Sequence, residues 1–219
     1  MEKREYILIS LILLMIIVSI FLYPSMPSQI PTHWGINGEI DDYSSKGFGL
    51  FFMPVFLAIL YLLFLVIPKI SVYKKNVDNF YKKYMFGFKL VFVIFFWAIY
   101  LGMILNAKGY IIQIKYFVLP ALALMFFYIG YMMKYVKRNY FIGLRTPWTL
   151  ANEKVWKKTH EMGGKLFYLL GLLTLIVIVL EKGFWIFIAA IIILVLYIFL
   201  YSYLEFRKQT FRKSLNKRK

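Results

Sequence analysis

The 219 residues contain no cysteine, which excludes disulfides, thiolate nucleophiles and cysteine metal sites from the chemistry of the chain. Histidine is almost as scarce, with His33 and His160 the only two, and 10 acidic residues stand against 27 basic ones. No Walker loop, dinucleotide fingerprint or zinc-protease helix motif occurs, so the usual nucleotide and zinc-hydrolase signatures are missing. Charge is also missing where transport needs it. Proton pumps, ion-coupled carriers and intramembrane hydrolases usually hold ionisable groups at mid-bilayer depth, and the long apolar runs have none there. Lys89 lies near the end of its run, where its stem can snorkel to the headgroups, and Glu181 falls in a turn.

What is abundant is apolar surface. Apolar residues make up 62% of the chain and aromatics 21%, against an apolar share of roughly 45–50% in soluble domains. Six runs, at 6–23, 48–67, 85–105, 116–133, 166–180 and 183–203, reach or approach spanning length. Hydrocarbon offers the backbone no partner, and the runs lack the strict alternation of barrel strands, so each predicts a helix. The expectation is an all-α, polytopic integral membrane protein of six transmembrane helices forming one membrane domain. It has an outer loop at 24–47, a cytoplasmic loop at 134–165 and a basic tail at 204–219.

The fifth run is short: its residues reach about 22 Å of a core roughly 30 Å thick. Asn152 is a plausible N-cap, with Glu153 placed favourably in the first turn, so a helix beginning there lengthens the span. Glu181, Lys182 and Gly183 separate runs five and six and predict a tight helical hairpin. The first run exceeds a secretory h-region and lacks a small-x-small cleavage pattern, so it is expected to stay attached.

Orientation follows from the basic residues. With the N terminus inside, 23 of the 27 fall on the cytoplasmic side, and only Lys46, Lys108, Lys115 and Lys182 lie outside. Net charge is then +17 inside and zero outside, which satisfies the positive-inside rule and predicts an N-in, C-in protein of the cell membrane. The positive charge lies beside anionic headgroups, where each basic residue gains about 1 kcal/mol. Anionic lipids, met by the basic tail, are therefore the expected partner, and direct nucleic-acid binding is not.

Two loops carry more information than the spans. The outer one places His33 and Trp34 before an Asn37-Gly38 turn, then Glu39, Asp41, Asp42, Tyr43 and Lys46. Its aromatics can seat in the headgroup belt with the acids solvated, or the same groups can bind a ligand. His33, Glu39, Asp41 and Asp42 match no established metal-ligand spacing. The inner loop runs through Asn139, Arg145, Trp148 and Asn152 to Trp156 and His160, the last two sharing a helical face. An amphipathic helix lying on the headgroups is the bland reading, and a docking surface the functional one. On this topology His33 and His160 lie roughly 30 Å or more apart, so they share neither metal nor proton.

Pro31-Thr32-His33-Trp34-Gly35, with the segment from Gly38 to Lys46 before a span, resembles the N-terminal signature of the SdpI immunity-protein family. Residues 139–149, Trp156, Thr159, His160 and Gly164 resemble its C-terminal one. The family comprises bacterial and archaeal membrane proteins. Its namesake protects a producing cell from its own secreted peptide toxin and holds a small transcriptional repressor at the membrane once toxin is sensed. The resemblance implies a non-enzymatic immunity or signal-transducing protein, with no cofactor or metal. On that reading His33, Trp34, Glu39, Asp41, Asp42 and Lys46 are the candidates for meeting a peptide toxin, the acids offering charge and Trp34 with Tyr43 flat apolar contact. Asn139, Arg145, Trp148, Trp156 and His160 are its candidates for docking a repressor. Two alternatives stand beside it: a small-solute or lipid-handling transporter, and a membrane enzyme using Arg145 and His160 at headgroup level.

Overall fold

A computed structural model describes residues 3–180 and 183–216, with side chains as far as Phe211. Six helices are long and apolar enough to cross a membrane, covering Glu5–Ser25, Lys46–Ile70, Lys74–Ala107, Lys115–Met133, Glu153–Val179 and Gly183–Phe211. The chain is a multi-pass membrane protein. Its residues group into two compact units, Met1–Val66 with Phe86–Met125, and Ile67–Met85 with Phe126–Lys219.

In the first unit, α1 (Glu5–Leu22) leads through a 3-10 turn to a two-stranded antiparallel hairpin of β1 (Gln29–Trp34) and β2 (Ile40–Ser45). The segment expected as an outer loop therefore contains a small sheet. Its Asn37-Gly38 turn closes as the residues dictate: Gly38 takes φ +87 and donates its N–H to the Gly35 carbonyl at 2.9 Å. Helix α2 (Lys46–Ile70) follows directly. Ile30 is fully buried, and Gly49 of α2 makes room for it, since a Cβ there would lie 3.0 Å from the Ile30 Cβ. Leu8, Ile12 and Met15 of α1 and Leu50 and Leu57 of α2 pack with Ile30 into one core.

The second unit takes the last residues of α2 from Ile67 and then α3 (Lys74–Phe80), which runs through a π-helical turn at Tyr81–Met85 into α4 (Phe86–Ala107). At that turn Tyr128 donates its hydroxyl to the Tyr84 carbonyl at 2.7 Å. The α4 helix itself belongs to the first unit, where Tyr100, Met103 and Ile104 join the core and the Tyr100 hydroxyl meets Ser19 Oγ at 2.5 Å. Helix α5 (Lys115–Met133) is followed by a loop and the short α6 (Pro147–Ala151). Then α7 (Glu153–Ile176) starts where the sequence placed its cap: Asn152 Oδ1 accepts the N–H groups of Lys154 and Val155. This start removes the length deficit of the fifth span. Gly130 of α5 and Gly164 of α7 meet backbone to backbone, each within 3.0 Å of where a Cβ on the other would stand, in the small-residue packing that lets membrane helices approach closely.

Helix α8 (Gly183–Asn216) is 34 residues long, so the basic stretch after Arg207 continues it rather than forming a separate segment. Of the expected turn, Glu181 and Lys182 lie outside the described residues, as do residues 217–219 of the tail.

One expectation needs correction. Lys89 does not snorkel: it is 5% exposed, and its Nζ reaches both Glu5 carboxylate oxygens at 2.6 Å. Tyr61 donates to the same carboxylate at 3.0 Å, so α1, α2 and α4 are stapled by one buried polar cluster. An aliphatic stem favours snorkelling only when the ammonium has no nearer partner, and here an acid from a neighbouring helix supplies one.

Candidate functional site

The inner-loop residues expected to dock a partner divide sharply by burial. Asn139 is 2% exposed, Trp156 2% and His160 1%. Asn139 shapes the loop from within: its Oδ1 accepts the N–H groups of Phe141 and Ile142 at 2.7 Å, and its Nδ2 donates to the carbonyls of Lys137 and Ile142. Trp156 donates Nε1–H to the Val136 carbonyl at 2.7 Å and stacks on His160 with ring centroids 4.1 Å apart.

His160 Nδ1 meets the Trp156 carbonyl at 2.8 Å, and Nε2 meets the Leu144 N–H at 3.0 Å. A carbonyl only accepts and an amide only donates, so the ring is the neutral Nδ1–H tautomer with both nitrogens engaged. No lone pair is left on it for proton transfer. Gly143 lies at φ +109 directly over this ring, where a Cβ would collide with Nε2. Trp156 and His160 do share a helical face, as their spacing predicts, but that face turns into the protein.

The remaining two inner candidates are more accessible. Trp148 is half-buried, packed edge-on against Phe199 at 4.8 Å and tilted against Tyr203 at 5.1 Å, which fixes α6 to α8. Thr146 caps α6 in a reciprocal capping box with Thr149 and bonds Ser202 at 3.1 Å, adding a second tie to α8. Arg145 is exposed, its guanidinium donating to the Tyr140 carbonyl. It borders a cleft of about 330 Å³ whose apolar wall includes Phe167, Leu194 and Phe199. Of the five, Arg145 alone offers an outward-facing functional group.

Sequence reasoning missed a cavity of about 540 Å³ beside this loop. Lys134, Lys137, Arg138, Lys154 and Lys157 surround it with one acid, Glu153, and Trp156 and His160 form part of its wall. The cations were visible only as members of a positive-inside count. Their convergence depends on the loop bringing residues 134–138 back onto the first turns of α7.

The hairpin holds the outer candidates. Pairing runs Pro31 to Tyr43, His33 to Asp42 and Trp34 to Ile40, so Asp41 is an extra residue on β2. Its carboxylate meets His33 Nδ1 at 2.6 Å, with the two side chains 43% and 68% exposed. Asp42 caps its neighbour, accepting the Tyr43 N–H at 2.8 Å, and Glu39 folds over Gly35. Tyr43 is exposed, as are the three acids Glu39, Asp41 and Asp42. Lys46 turns away, donating to the Tyr23 carbonyl at 3.3 Å above the Tyr23 ring. Trp34 is half-buried and lines a small cavity of about 110 Å³ with Phe48, Phe52 and Met53. Among the described residues, no three metal-ligating side chains converge.

A family model described as the SdpI/YfhL protein family matches residues 135–202, which include the inner loop, α6 and α7. A second, described as a domain of unknown function (DUF1648), matches residues 10–58, which include the hairpin. The chain is similar to the immunity protein SdpI of Bacillus subtilis (strain 168), 30% identical over 169 residues that cover 77% of this chain and 78% of that protein. No solved structure matches.

Proposed function

The chain belongs to the SdpI/YfhL family, and from that premise we propose that it is a non-enzymatic membrane immunity protein that protects its cell against a secreted peptide toxin. The observation that carries the reading is its 30% identity, over most of both chains, to a protein named for immunity. The hairpin is the sensing element. Glu39, Asp41 and Asp42 offer charge, and Tyr43 an exposed flat ring, to a cationic or amphipathic peptide. The inner loop docks a small transcriptional repressor, with Arg145 the contact residue and Asn139, Trp156 and His160 the frame that presents it. The orientation is N-in and C-in, supported by the 23-to-4 partition of basic residues. The basic end of α8 rests against anionic lipid.

Removing the gene from its own cell and exposing the mutant to medium conditioned by the parent tests this reading. Growth arrest rescued by the intact chain is expected. Equal growth of mutant and parent would sink it.

The buried Lys89–Glu5 pair favours a second reading, a small-solute or lipid-handling transporter, because ionisable groups inside membrane helices commonly mark transport pathways. Against it, the carboxylate is already engaged by Lys89 and Tyr61. Solute-dependent flux in liposomes, lost in Glu5→Gln, would establish transport.

A further inference from the structure

The cavity walled by Trp156 and His160 is unusual in its charge. Five cations face it against Glu153 alone, and among the described residues neither Lys137 nor Lys154 forms an ion pair. Lys157 has only a loose contact with Glu161, at 3.9 Å between two exposed side chains. Arg138 is held in place, donating to the Leu150 carbonyl at 3.3 Å with its guanidinium over the Tyr73 ring. Lys134 stands over Tyr135 at 4.9 Å. Clustered like charges with oriented stems raise the free energy of the empty site, and an anion relieves it.

We propose that this cavity binds the phosphate of an anionic phospholipid. A volume of about 540 Å³ falls within the range of roughly 300–1,000 Å³ typical of ligand sites. Its position argues for a lipid over a soluble phosphate. Lys134 follows the last residue of the apolar helix α5. It also lines a second cavity, about 400 Å³, together with Gly130, Glu161, Gly164, Lys165 and Tyr168. There the half-exposed ring of Tyr168 lies beside the closely packed Gly130 and Gly164. A phosphate in the first cavity with the polar glycerol and ester groups in the second, where Lys134, Glu161 and Lys165 stand beside glycine and the Tyr168 ring, fits a phospholipid and leaves the second surface unused by a free anion. Basic pockets between membrane helices bind acidic headgroups by this chemistry. The proposal is independent of the immunity reading and of the orientation.

The test titrates the full chain in neutral detergent with phosphatidylglycerol, phosphatidylcholine or inorganic phosphate, reading the thermal midpoint. Saturable stabilisation by phosphatidylglycerol alone is expected. In Lys137→Ala/Lys154→Ala the lipid concentration at half-saturation should rise about 10–30-fold, while Lys74→Ala/Lys75→Ala, which removes equal charge from α3, should leave it unchanged. All four lysines are exposed, so neither double variant should lower the midpoint without lipid. An equal response to phosphatidylcholine, or an equal loss in both double variants, overturns the proposal. So does inorganic phosphate stabilising the chain as well as the lipid does, which would assign the site to a soluble anion. A measurement on the unaltered chain stands beside these: phosphatidylglycerol should slow amine acylation of Lys137 and Lys154 but not of Lys74, and unchanged labelling contradicts a bound headgroup.

Discussion

The backbone N–H of Leu144 donates to Nε2 of His160 at 3.0 Å, and this bond ties the loop that leaves α5 to the helix that begins at Glu153. With the Trp156 carbonyl on the other ring nitrogen, the histidine serves as a two-ended clip. Its fixed neutral tautomer is a requirement of the loop, since a proton on Nε2 would set donor against donor.

Gly143→Ala therefore acts through His160. Its new Cβ meets the ring at a backbone angle that disfavours side chains, and should cost about 1–3 kcal/mol. His160→Ala leaves the Leu144 amide without its partner and opens a void beside Trp156, and should cost a similar amount. Both should lower the thermal midpoint and membrane abundance together; wild-type midpoints in the two variants contradict the clip.

Arg145→Ala should behave differently from Asn139→Ala. The exposed guanidinium carries no buried structure, so its loss should leave abundance intact while abolishing recruitment of a soluble repressor to membranes. Asn139 satisfies four backbone groups from a buried position, so its loss should lower abundance and recruitment in parallel. Normal recruitment by Arg145→Ala at wild-type abundance removes this loop as the docking surface.

The helical architecture was legible because apolar runs of spanning length admit few other outcomes in lipid, and the Asn152 cap because its signal is local. The hairpin was less so. Its Asn37-Gly38 turn is plain in the sequence, but a polar two-stranded sheet depends on Ile30 finding the space beside Gly49, which no pattern within residues 24–47 reveals. The same limit hid the Glu5–Lys89 staple, whose members lie 84 positions apart. It also hid the inward turn of Trp156 and His160. A shared helical face follows from spacing, whereas the direction of that face depends on which segments pack around it.

The staple has its own signature. Lys89→Met should destabilise by about 3–5 kcal/mol by leaving the Glu5 carboxylate without its counter-ion. Glu5→Gln/Lys89→Met should recover much of that loss, because neither charge remains buried. Melting in lipid nanodiscs reads both, and a double variant no more stable than Lys89→Met would show that the pair is not acting as a unit.

Topology is checked with cysteines introduced into a chain that has none. A cysteine at Ser45 should react with an impermeant maleimide in intact cells, and one placed after Lys219 should react only after lysis. External labelling of both sites contradicts the N-in, C-in orientation.

The most direct measurement of the central claim is protection by Glu39→Gln/Asp41→Asn/Asp42→Asn, compared with the parent chain at equal membrane abundance in cells exposed to the secreted peptide. The amides keep the size of each side chain and remove three charges from the hairpin, including the partner of His33. Loss of protection with unchanged abundance is the predicted result. Full protection by this variant would contradict the assignment of the hairpin as an electrostatic peptide sensor.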